Sequence, residues 1–411
     1  MPEFPVLVLD PGNFTPYYDA NLCQALADRG VPVEWITSPY LFEPIPAPAG
    51  VCVRHAFFTL FGQSRLLARA LKVAWLRRVL KGISYPVEML RLTRELRGRT
   101  PGVIHVQWSL MPGLDGLLIR FWRRWGWRVV YTAHDLLPLG PSRRRIRFES
   151  WDRLERRWLF RAADALIVHS EANRLTAIRL GAPAERLRVL PLGGEGRFRG
   201  ACLTREDARR RLGLDPQKPL ALFFGLIKPY KGLSVLLRSM SSVKTRVPQA
   251  HLLVAGSPME PLAATLRLIA ELDMQDDVTL HAHYIPSNLV ASYFSAADVV
   301  VLPYLEVSLS AVLVAAYEYA RPVIVTAIGG LPELVEEGKT GLTVPAGDVQ
   351  ALASAIVALL EDPARCREMG AQARRLAEER HAWPAIAGRT ADLYDQVWRG
   401  RTPEDPLPGS G

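Results

Sequence analysis

Two lysines beside a predicted helix carry the strongest chemical signal in this sequence. In FFGLIKPYKGLSVLL (223–237) an apolar strand is predicted to end at Gly225, and Lys228 and Lys231 follow just before a helix. A helix N-terminus offers unpaired backbone N–H groups and a partial positive charge, so lysines placed there favour the binding of a phosphate group. The residue order of a Walker A loop is absent. The segment therefore predicts a phosphate site of another kind, with two solvated lysines as the plainer alternative.

A short polar loop before a second predicted helix points to the same chemistry. In VVVLPYLEVSLSAVL (299–313) this loop contains Glu306, Ser308 and Ser310. A serine at the start of a helix can cap it and leave other backbone amides free for an anion. Capping accounts for one serine but not for the whole arrangement, so we predict that the loop belongs to the phosphate site.

Two weaker signals lie in the first half of the chain. Gly12 and Asn13 follow the first predicted strand, where backbone amides can approach a ligand, although an ordinary turn explains them equally well. His134 and Asp135 end another strand in VVYTAHD (129–135). A histidine there can donate a hydrogen bond to a substrate oxygen, and capping of the next turn is the alternative. Because His, Cys, Asp and Glu nowhere show metal-ligand spacing, we predict chemistry without a metal, and we also expect no cofactor.

The elements that must position these residues follow one pattern along the whole chain. Short apolar runs rich in β-branched residues alternate with helical patterns, and this alternation indicates parallel sheets covered on both faces. It occurs twice, on either side of a polar, glycine-rich joint at 192–204. We therefore predict an α/β fold of two doubly wound domains, with ligands at the carboxyl ends of the strands in the cleft between them. The predicted strands are 4–10, 33–37, 103–107, 129–132, 165–170 and 188–192, then 220–225, 251–256, 278–281, 299–303, 322–326 and 342–345.

Composition limits the class of protein. With 411 residues, 49% hydrophobic and 22% charged, the chain is neither disordered, collagen-like nor a coiled coil. Four scattered cysteines do not form a disulfide framework, which favours a reducing compartment. The N-terminus lacks the pattern of a signal peptide, and no apolar window is long enough to span a membrane. We therefore predict a cytoplasmic protein.

Positive charge is concentrated in the first half of the chain. Residues 1–200 carry 30 Lys and Arg against 17 Asp and Glu, whereas residues 201–411 carry 21 against 24. Seven of the ten tryptophans lie between residues 75 and 158, most densely in IRFWRRWGWR (119–128). Arginine with tryptophan suits an anionic membrane interface, and a solvated surface over core tryptophans is the alternative. No nucleic-acid motif accompanies the charge. The helical pattern of segment 62–99 is predicted to be broken at Gly82 and Pro86.

The second half of the chain resembles family-4-type glycosyltransferases of the GT-B fold. The matching residues are GLIKPYKG (225–232), the block from RPVIVTAIGG to VPAGD (321–348) and HAWPAIAGRTADLY (381–394). The first half matches more loosely, at the Gly12 turn, TAHD (132–135) and VHSE (168–171). The resemblance implies an acceptor-side domain over 1–195 and a nucleotide-sugar domain over 196–380. It also implies that helix 381–399 packs back on the first domain, and residues 400–411 are predicted to be a disordered tail.

The resemblance also assigns roles to single residues. Lys231 matches the family's diphosphate-binding lysine, and Lys228 stands in for an arginine that is Leu226 here. His134 matches the histidine that faces the donor sugar. The nucleoside is assigned to Ser257, His283, Tyr284, Ile285 and Glu318, the diphosphate to Gly12, Asn13, Gly225, Lys228, Lys231, Ser308 and Ser310, and catalysis to His134, Asp135 and Glu306.

One departure from the family concerns a pair of glutamates that contact the donor. Without gaps their positions fall on Val307 and Ala315, while Glu306 comes one place early and Glu318 three places late. Some similar proteins carry a serine-rich form of this loop, which SLSAVL resembles. The sequence therefore indicates a divergent subgroup in which Glu306, Ser308 and Ser310 take over the donor contacts.

Three functions remain open at this point. The first is a hexosyltransferase that moves a sugar from a UDP or GDP sugar, with retention, to a lipid-linked or polysaccharide acceptor in polysaccharide biosynthesis. It would act in the cytoplasm or on the inner face of the plasma membrane. The second is a catalytically degenerate scaffold subunit, which the missing glutamates would allow. The third is another enzyme of the same fold, such as a sugar-nucleotide epimerase.

Overall fold

The chain forms two compact units, which are described one at a time. The computed structural model describes residues 4–40, 42–59, 74–136, 145–198 and 200–400. Of these, the first unit holds the residues up to 136, those of 145–190 and those from 383 onward, and the second unit holds 191–382. In the described ranges, no helix combines the length and hydropathy needed to cross a membrane. The predicted disorder of the tail concerns residues 401–411, which lie outside these ranges.

The first unit is built on a seven-stranded parallel sheet in the order β3-β2-β1-β4-β5-β6-β7. Five of its strands are fully or almost fully buried, as expected for a sheet covered on both faces. The strands are β1 (Val6–Asp10), β2 (Val33–Thr37), β3 (Cys52–His55), β4 (Val103–Val106), β5 (Arg128–Thr132), β6 (Ala165–Val168) and β7 (Leu187–Val189). The helices between them are α1 (Pro16–Asp28), α2 (Ala74–Leu96), α3 (Pro112–Arg124), α4 (Arg145–Ala162) and α5 (Glu171–Arg179).

The second unit repeats this plan with six parallel strands in the order β10-β9-β8-β11-β12-β13. Its strands are β8 (Leu220–Phe224), β9 (His251–Ala255), β10 (Val278–His281), β11 (Val299–Leu302), β12 (Val323–Thr326) and β13 (Gly341–Val344). Its helices are α6 (Arg205–Leu212), α7 (Leu233–Val243), α8 (Ala263–Glu271), α9 (Ser287–Ala296), α10 (Ala311–Glu318), α11 (Leu331–Leu334), α12 (Val349–Leu360) and α13 (Pro363–Arg380). The predicted class of two doubly wound, Rossmann-like α/β domains is confirmed.

The last described helix, α14 (Trp383–Trp398), belongs to the first unit. The ring of Trp383 packs edge-on against Tyr18 of α1 at 5.0 Å between centroids. Tyr394 is fully buried, and its hydroxyl lies 2.6 Å from Nδ1 of His105 on β4. Aromatic packing and one buried polar contact thus hold α14 against the first sheet.

Helix α2 corrects the prediction that Gly82 and Pro86 break segment 62–99. The helix runs from Ala74 to Leu96 with Pro86 inside it; residues 60–73 lie outside the described ranges. Proline removes a helical hydrogen bond and its ring meets the carbonyl four residues earlier, which belongs here to Gly82. The helix persists because one stripe of it is buried in the core of the first unit, formed by Tyr85, Met89, Leu92 and Leu96.

The tryptophan-rich segment 119–128 is in part a core feature. Trp122 and Trp127 are buried, and their indole N–H groups donate to Thr93 Oγ1 at 3.0 Å and to the Leu96 carbonyl at 3.1 Å. Buried indoles need such partners, since an unpaired N–H is costly to bury. These two tryptophans are therefore unavailable to an outer surface.

Candidate functional site

Each sheet has one point where the strand order reverses, and ligands of such sheets bind there, beyond the carboxyl ends of the strands. In the second unit this point lies between β8 and β11. Strand β8 ends at Phe224, and Gly225 follows with φ 103°. A Cβ on Gly225 would lie 3.4 Å from Nζ of Lys231, so the lysine ammonium lies close over this glycine.

A chain of three polar side chains spans this switch point. Nζ of Lys231 donates to the hydroxyl of Tyr304 at 3.0 Å, and that hydroxyl lies 3.2 Å from Oγ of Ser310. Because Lys231 fills an acceptor position on Tyr304, the tyrosine proton is free to point to Ser310. The Ser310 proton is then available to an outside acceptor. Ser310 is the N-cap residue of α10 and its side chain makes no capping bond, so an anion here would meet an ammonium, a hydroxyl and a helix N-terminus.

Two glycines that follow β12 contact the loop between β11 and α10. The amide of Gly330 donates to the Ser308 carbonyl at 3.0 Å, and Gly329 has φ 55°. A Cβ on Gly329 would lie 2.2 Å from the Val307 carbonyl oxygen. Ser308 is buried in this loop, and Glu306 is half-buried near its start. The structure thus brings Gly225, Lys231, Ser308 and Ser310 to one switch point.

Lys228 contacts other groups. Its ammonium lies 5.5 Å from the ring centroid of Tyr230, and it lines a cavity of about 400 Å³ together with Arg238 and Glu260. Lys231 is not among the residues that line this cavity. The diphosphate role of Lys228 therefore stays a prediction, without the polar chain that Lys231 has.

Four of the residues assigned to the nucleoside lie at the carboxyl ends of β9 and β10, the two strands on one side of β8: Ser257, His283, Tyr284 and Ile285. The Ser257 carbonyl accepts the amide of Ile227 at 2.9 Å, which ties the end of β9 to that of β8. After β10 the chain turns, with the His283 amide donating to the His281 carbonyl at 3.0 Å. The His283 side chain is exposed, Tyr284 is half-buried and Ile285 is buried.

Glu318 is engaged elsewhere in the second unit. Its carboxylate accepts the backbone amides of Glu195 at 2.8 Å and Gly196 at 3.4 Å. A Cβ on Gly194 would lie 2.3 Å from that carboxylate, so glycine is needed for this close approach. The carboxylate thus anchors the joint between the halves of the chain, and its nucleoside role stays a prediction that this contact does not favour. Ala315, at the other family position, is buried in the core.

In the first unit the switch point lies between β1 and β4. Asp10, at the end of β1, is fully buried, and its carboxylate accepts the amides of Gly12 at 3.1 Å and Phe14 at 2.9 Å. Burial raises the pKa of Asp10, and burial together with the Asp10 charge raises the pKa of Asp19 well above its ordinary value. A carboxylate already occupies this turn, which argues against direct diphosphate contact by Gly12 and Asn13.

His134, after β5, lies in a cage of aromatic and polar side chains. Its ring stacks on Trp108 at 5.2 Å and meets the Tyr18 ring edge-on at 5.0 Å. Nε2 lies 3.0 Å from Oε1 of Gln107, and Nδ1 lies 3.2 Å from Nε2 of His169. Burial, helped by His169 and His105, lowers the pKa of His134 well below its ordinary value, so the ring is neutral at pH 7.

Several members of these two sites were absent from the sequence-based assignments: Tyr304, Gln107, Trp108 and His169. All four lie within two residues after a strand, and for Tyr304, Gln107 and Trp108 that position is the only signal. His169 also lies in the VHSE (168–171) match, which gave it no role. Asp135 has an exposed side chain, and its backbone carbonyl accepts a hydrogen bond from Arg156 at 3.4 Å. Among the described residues, no group of three His, Cys, Asp or Glu side chains is placed to hold a metal ion.

Two doubly wound, Rossmann-like units, with parallel sheets of seven and six strands, are typical of the GT-B class. Two family models cover most of the chain: "Glycosyl transferase 4-like domain" matches residues 17–193 and "Glycosyl transferases group 1" matches residues 218–362. The chain belongs to this glycosyltransferase family, and the enzyme class inferred from the sequence, a transferase, is confirmed.

Relatives and solved structures agree with this assignment. A D-inositol 3-phosphate glycosyltransferase of Pseudarthrobacter chlorophenolicus is 30% identical over 396 residues, which are 92% of this chain and 89% of the relative. A sucrose-phosphate synthase from Thermosynechococcus elongatus is similar in structure, with a TM-score of 0.76, 24% identity and coverage of 97% of this chain and 100% of the other. An Anabaena protein solved with UDP-glucose has a TM-score of 0.71, 16% identity and coverage of 96% and 100%. The two structural likenesses support the fold.

Proposed function

We propose that the protein transfers a hexose from a nucleoside diphosphate sugar to a hydroxyl group of its acceptor. The observation that carries this proposal is the Lys231–Tyr304–Ser310 chain at the switch point of the second sheet. Transfer of the sugar leaves a diphosphate whose negative charge grows as the glycosidic bond breaks. Groups fixed in place before the reaction stabilise such charge without reorganisation. Lys231 and the N-terminus of α10 are groups of this kind.

The finer features of the reaction belong to the same proposal. Because the ammonium of Lys231 meets the charge of the leaving group, the reaction proceeds without a metal or cofactor. The resemblance to retaining enzymes supports retention of the anomeric configuration, with His134 orienting the sugar. UDP is the first nucleotide to test, since an Anabaena protein of the same fold was solved with UDP-glucose, and GDP is the second. The excess of basic residues in the first half suits a phosphate-bearing acceptor, for which we propose a lipid-linked saccharide or polysaccharide intermediate.

A screen of nucleotides tests the donor site. The purified chain is heated with UDP, GDP, ADP, TDP or CDP, without added metal, and its unfolding temperature is measured. A ligand at 100 times its dissociation constant adds about 2.7 kcal/mol of stability, which is readily seen. We expect UDP or GDP to raise the unfolding temperature and the other nucleotides to have little effect. If none of them shifts it, the donor-site proposal fails and the scaffold function is favoured.

The first unit carries an exposed surface of apolar and basic side chains on α3 and α4. Phe121, Leu117, Leu154 and Trp158 are exposed there, and the Arg120 guanidinium lies 5.7 Å from the Trp158 ring. Aromatic rings beside arginines suit the headgroup region of an anionic bilayer. We propose that this surface, here called the α3–α4 face, rests on the inner face of the plasma membrane.

Vesicle binding tests the α3–α4 face. The full chain should sediment with vesicles of equal parts phosphatidylglycerol and phosphatidylcholine, and about 0.5 M salt should release much of it, since salt screens exposed charges. Replacing both Phe121 and Trp158 by serine should weaken binding by about tenfold or more, because two inserted side chains are lost. Leu266→Ser, an exposed leucine of the second unit, is the control and should bind like the wild type. Equal binding to pure phosphatidylcholine would contradict an electrostatic contact.

A further inference from the structure

The carbonyl of Leu190 determines which ring nitrogen of His169 carries its proton. Nδ1 of His169 lies 3.0 Å from this oxygen, and a carbonyl can only accept a hydrogen bond. Nδ1 must therefore be protonated. Burial lowers the pKa of His169 to about 4, so the ring is neutral at pH 7 and its Nε2 has a free lone pair.

The same logic passes from His169 to His134. Nε2 of His169 lies 3.2 Å from Nδ1 of His134, so a bond between them requires the proton on His134 Nδ1. His134 then has an unprotonated Nε2, which lies 3.0 Å from Oε1 of Gln107, an atom that cannot donate to it in this orientation of the amide. Because the two ends of a glutamine amide are alike in shape, its NH₂ group can donate to that nitrogen. Gln107 can therefore form a hydrogen bond with either tautomer of His134, whereas His169 can do so only with the tautomer that carries its proton on Nδ1.

We infer that His169 is a positioning residue that holds the His134 proton on Nδ1 and leaves Nε2 as a hydrogen-bond acceptor. This inference rests on the proposed function, in which His134 orients the sugar, and it changes how His134 does so. Neutral His134 accepts a hydrogen bond from a sugar hydroxyl at Nε2 and does not donate one to a substrate oxygen. The hydroxyl takes the place of the Gln107 amide, because Nδ1 is occupied by His169.

The groups around His134 support a neutral ring. His169 faces it from β6, and His105 on β4 lies beyond Gln107, with a pKa lowered to about 3 by burial. Tyr18 faces it from α1, and burial raises the pKa of that phenol. Asp135, the next residue along the chain, has an exposed side chain. Of these described neighbours, His169, His105 and Tyr18 are uncharged at pH 7, so hydrogen bonding sets the tautomer of His134.

Nuclear magnetic resonance of the ring nitrogens measures the tautomer directly. The full chain is labelled with ¹⁵N histidine and studied at about pH 7.5, where neutral histidines predominate. His134→Gln identifies the His134 signals by their loss. We expect the Nδ1–H tautomer at His134 in the wild type. His169→Phe, which keeps a ring but removes the acceptor, should shift His134 to the Nε2–H form. His169→Gln, which keeps an acceptor, should retain the Nδ1–H form.

Turnover supplies the second readout. With UDP-glucose and water as the probe reaction, His169→Phe should lower kcat by about tenfold or more, with a smaller change in KM. His169→Gln should recover most of the loss. Adding His169→Phe to His134→Gln should cause no further loss, because His169 acts through His134.

The outcomes separate the inference from the proposed function. An Nε2–H tautomer at His134 in the wild type, or an unchanged Nδ1–H tautomer in His169→Phe, overturns the inference. The first of these outcomes is read from the wild-type spectrum, so it needs neither a folded His169→Phe variant nor turnover of UDP-glucose. If the tautomer is as expected and His134→Gln keeps full activity, the positioning by His169 stands and the proposed role of His134 fails.

Discussion

Replacing Lys231 by alanine should lower kcat/KM for a UDP sugar by about 10²–10³, most of it in kcat. The ammonium lies over Gly225 and donates to Tyr304, so it is fixed in place before any diphosphate arrives. Its charge is worth most when the leaving diphosphate becomes most negative, which happens in the transition state. Initial rates over a range of UDP-sugar concentrations, measured as UDP release, separate the effect on kcat from that on KM.

Controls for this variant come from the same unit. Lys339→Ala removes an exposed lysine and should leave both constants unchanged. Tyr304→Phe keeps Lys231 but removes the bridge to Ser310, so it should cause a smaller loss of about tenfold. Lys228→Ala should also lose less than Lys231→Ala, since Lys228 lines a separate cavity. Equal losses for the two lysine variants would contradict the assignment of the diphosphate to Lys231.

Much of the fold was predictable because its signal is local. A strand buried on both faces must be apolar along its length. Short apolar runs such as those of β8 and β11 therefore indicate buried strands. Strand β3 was missed for the same reason. It lies at the sheet edge, its four residues are exposed or half-buried, and its sequence CVRH has no apolar run. Helix α2 was misjudged because burial of its apolar stripe, which is a tertiary effect, outweighs the cost of an internal proline.

The candidate sites were predictable only where a functional residue and the helix start beside it are neighbours in the sequence. Lys231 and Ser310 stand beside helix starts in the sequence itself. Tyr304, which joins them, is 2% exposed, and in the sequence nothing distinguishes it from an aromatic residue of the core. His169 matters only because β6 lies next to β5 in the sheet. Contacts of this kind depend on the order of strands in the sheet, and the hydrophobic periodicity of the sequence does not predict that order.

Residues whose partners are backbone groups were the hardest to assign. The turn at Gly12 has the shape of an anion site, but Asp10 supplies the anion from two residues away. Glu318 was assigned to a nucleoside, whereas its carboxylate meets the amides of residues more than a hundred positions earlier. Backbone N–H groups are present at every residue except proline, so the sequence does not say which of them a carboxylate will find.

Glycine at position 232 should be among the least replaceable residues of the second unit. It precedes α7 with φ 70° and ψ 23°, directly after Lys231. A Cβ there would lie 1.8 Å from the carbonyl oxygen of Pro303, the residue before Tyr304. The two chain segments that carry the candidate phosphate site, at Lys231 and at Tyr304, therefore touch through this glycine. Alanine must push them apart, and this separates Lys231 from the Tyr304 hydroxyl.

Gly213 provides a matched control, because it has φ 70° and ψ 25° and no atom within 4 Å of its Cβ position. Gly213→Ala should therefore cost only the left-handed backbone penalty, about 1–2 kcal/mol. Gly232→Ala adds a collision between backbone groups, so its free energy of unfolding should fall by about 3–5 kcal/mol and its affinity for UDP should be largely lost. Urea unfolding of both variants measures the difference. Equal destabilisation would mean that the segments at Pro303 and Lys231 can separate freely, and a polar chain between them could not then be preorganised for a diphosphate.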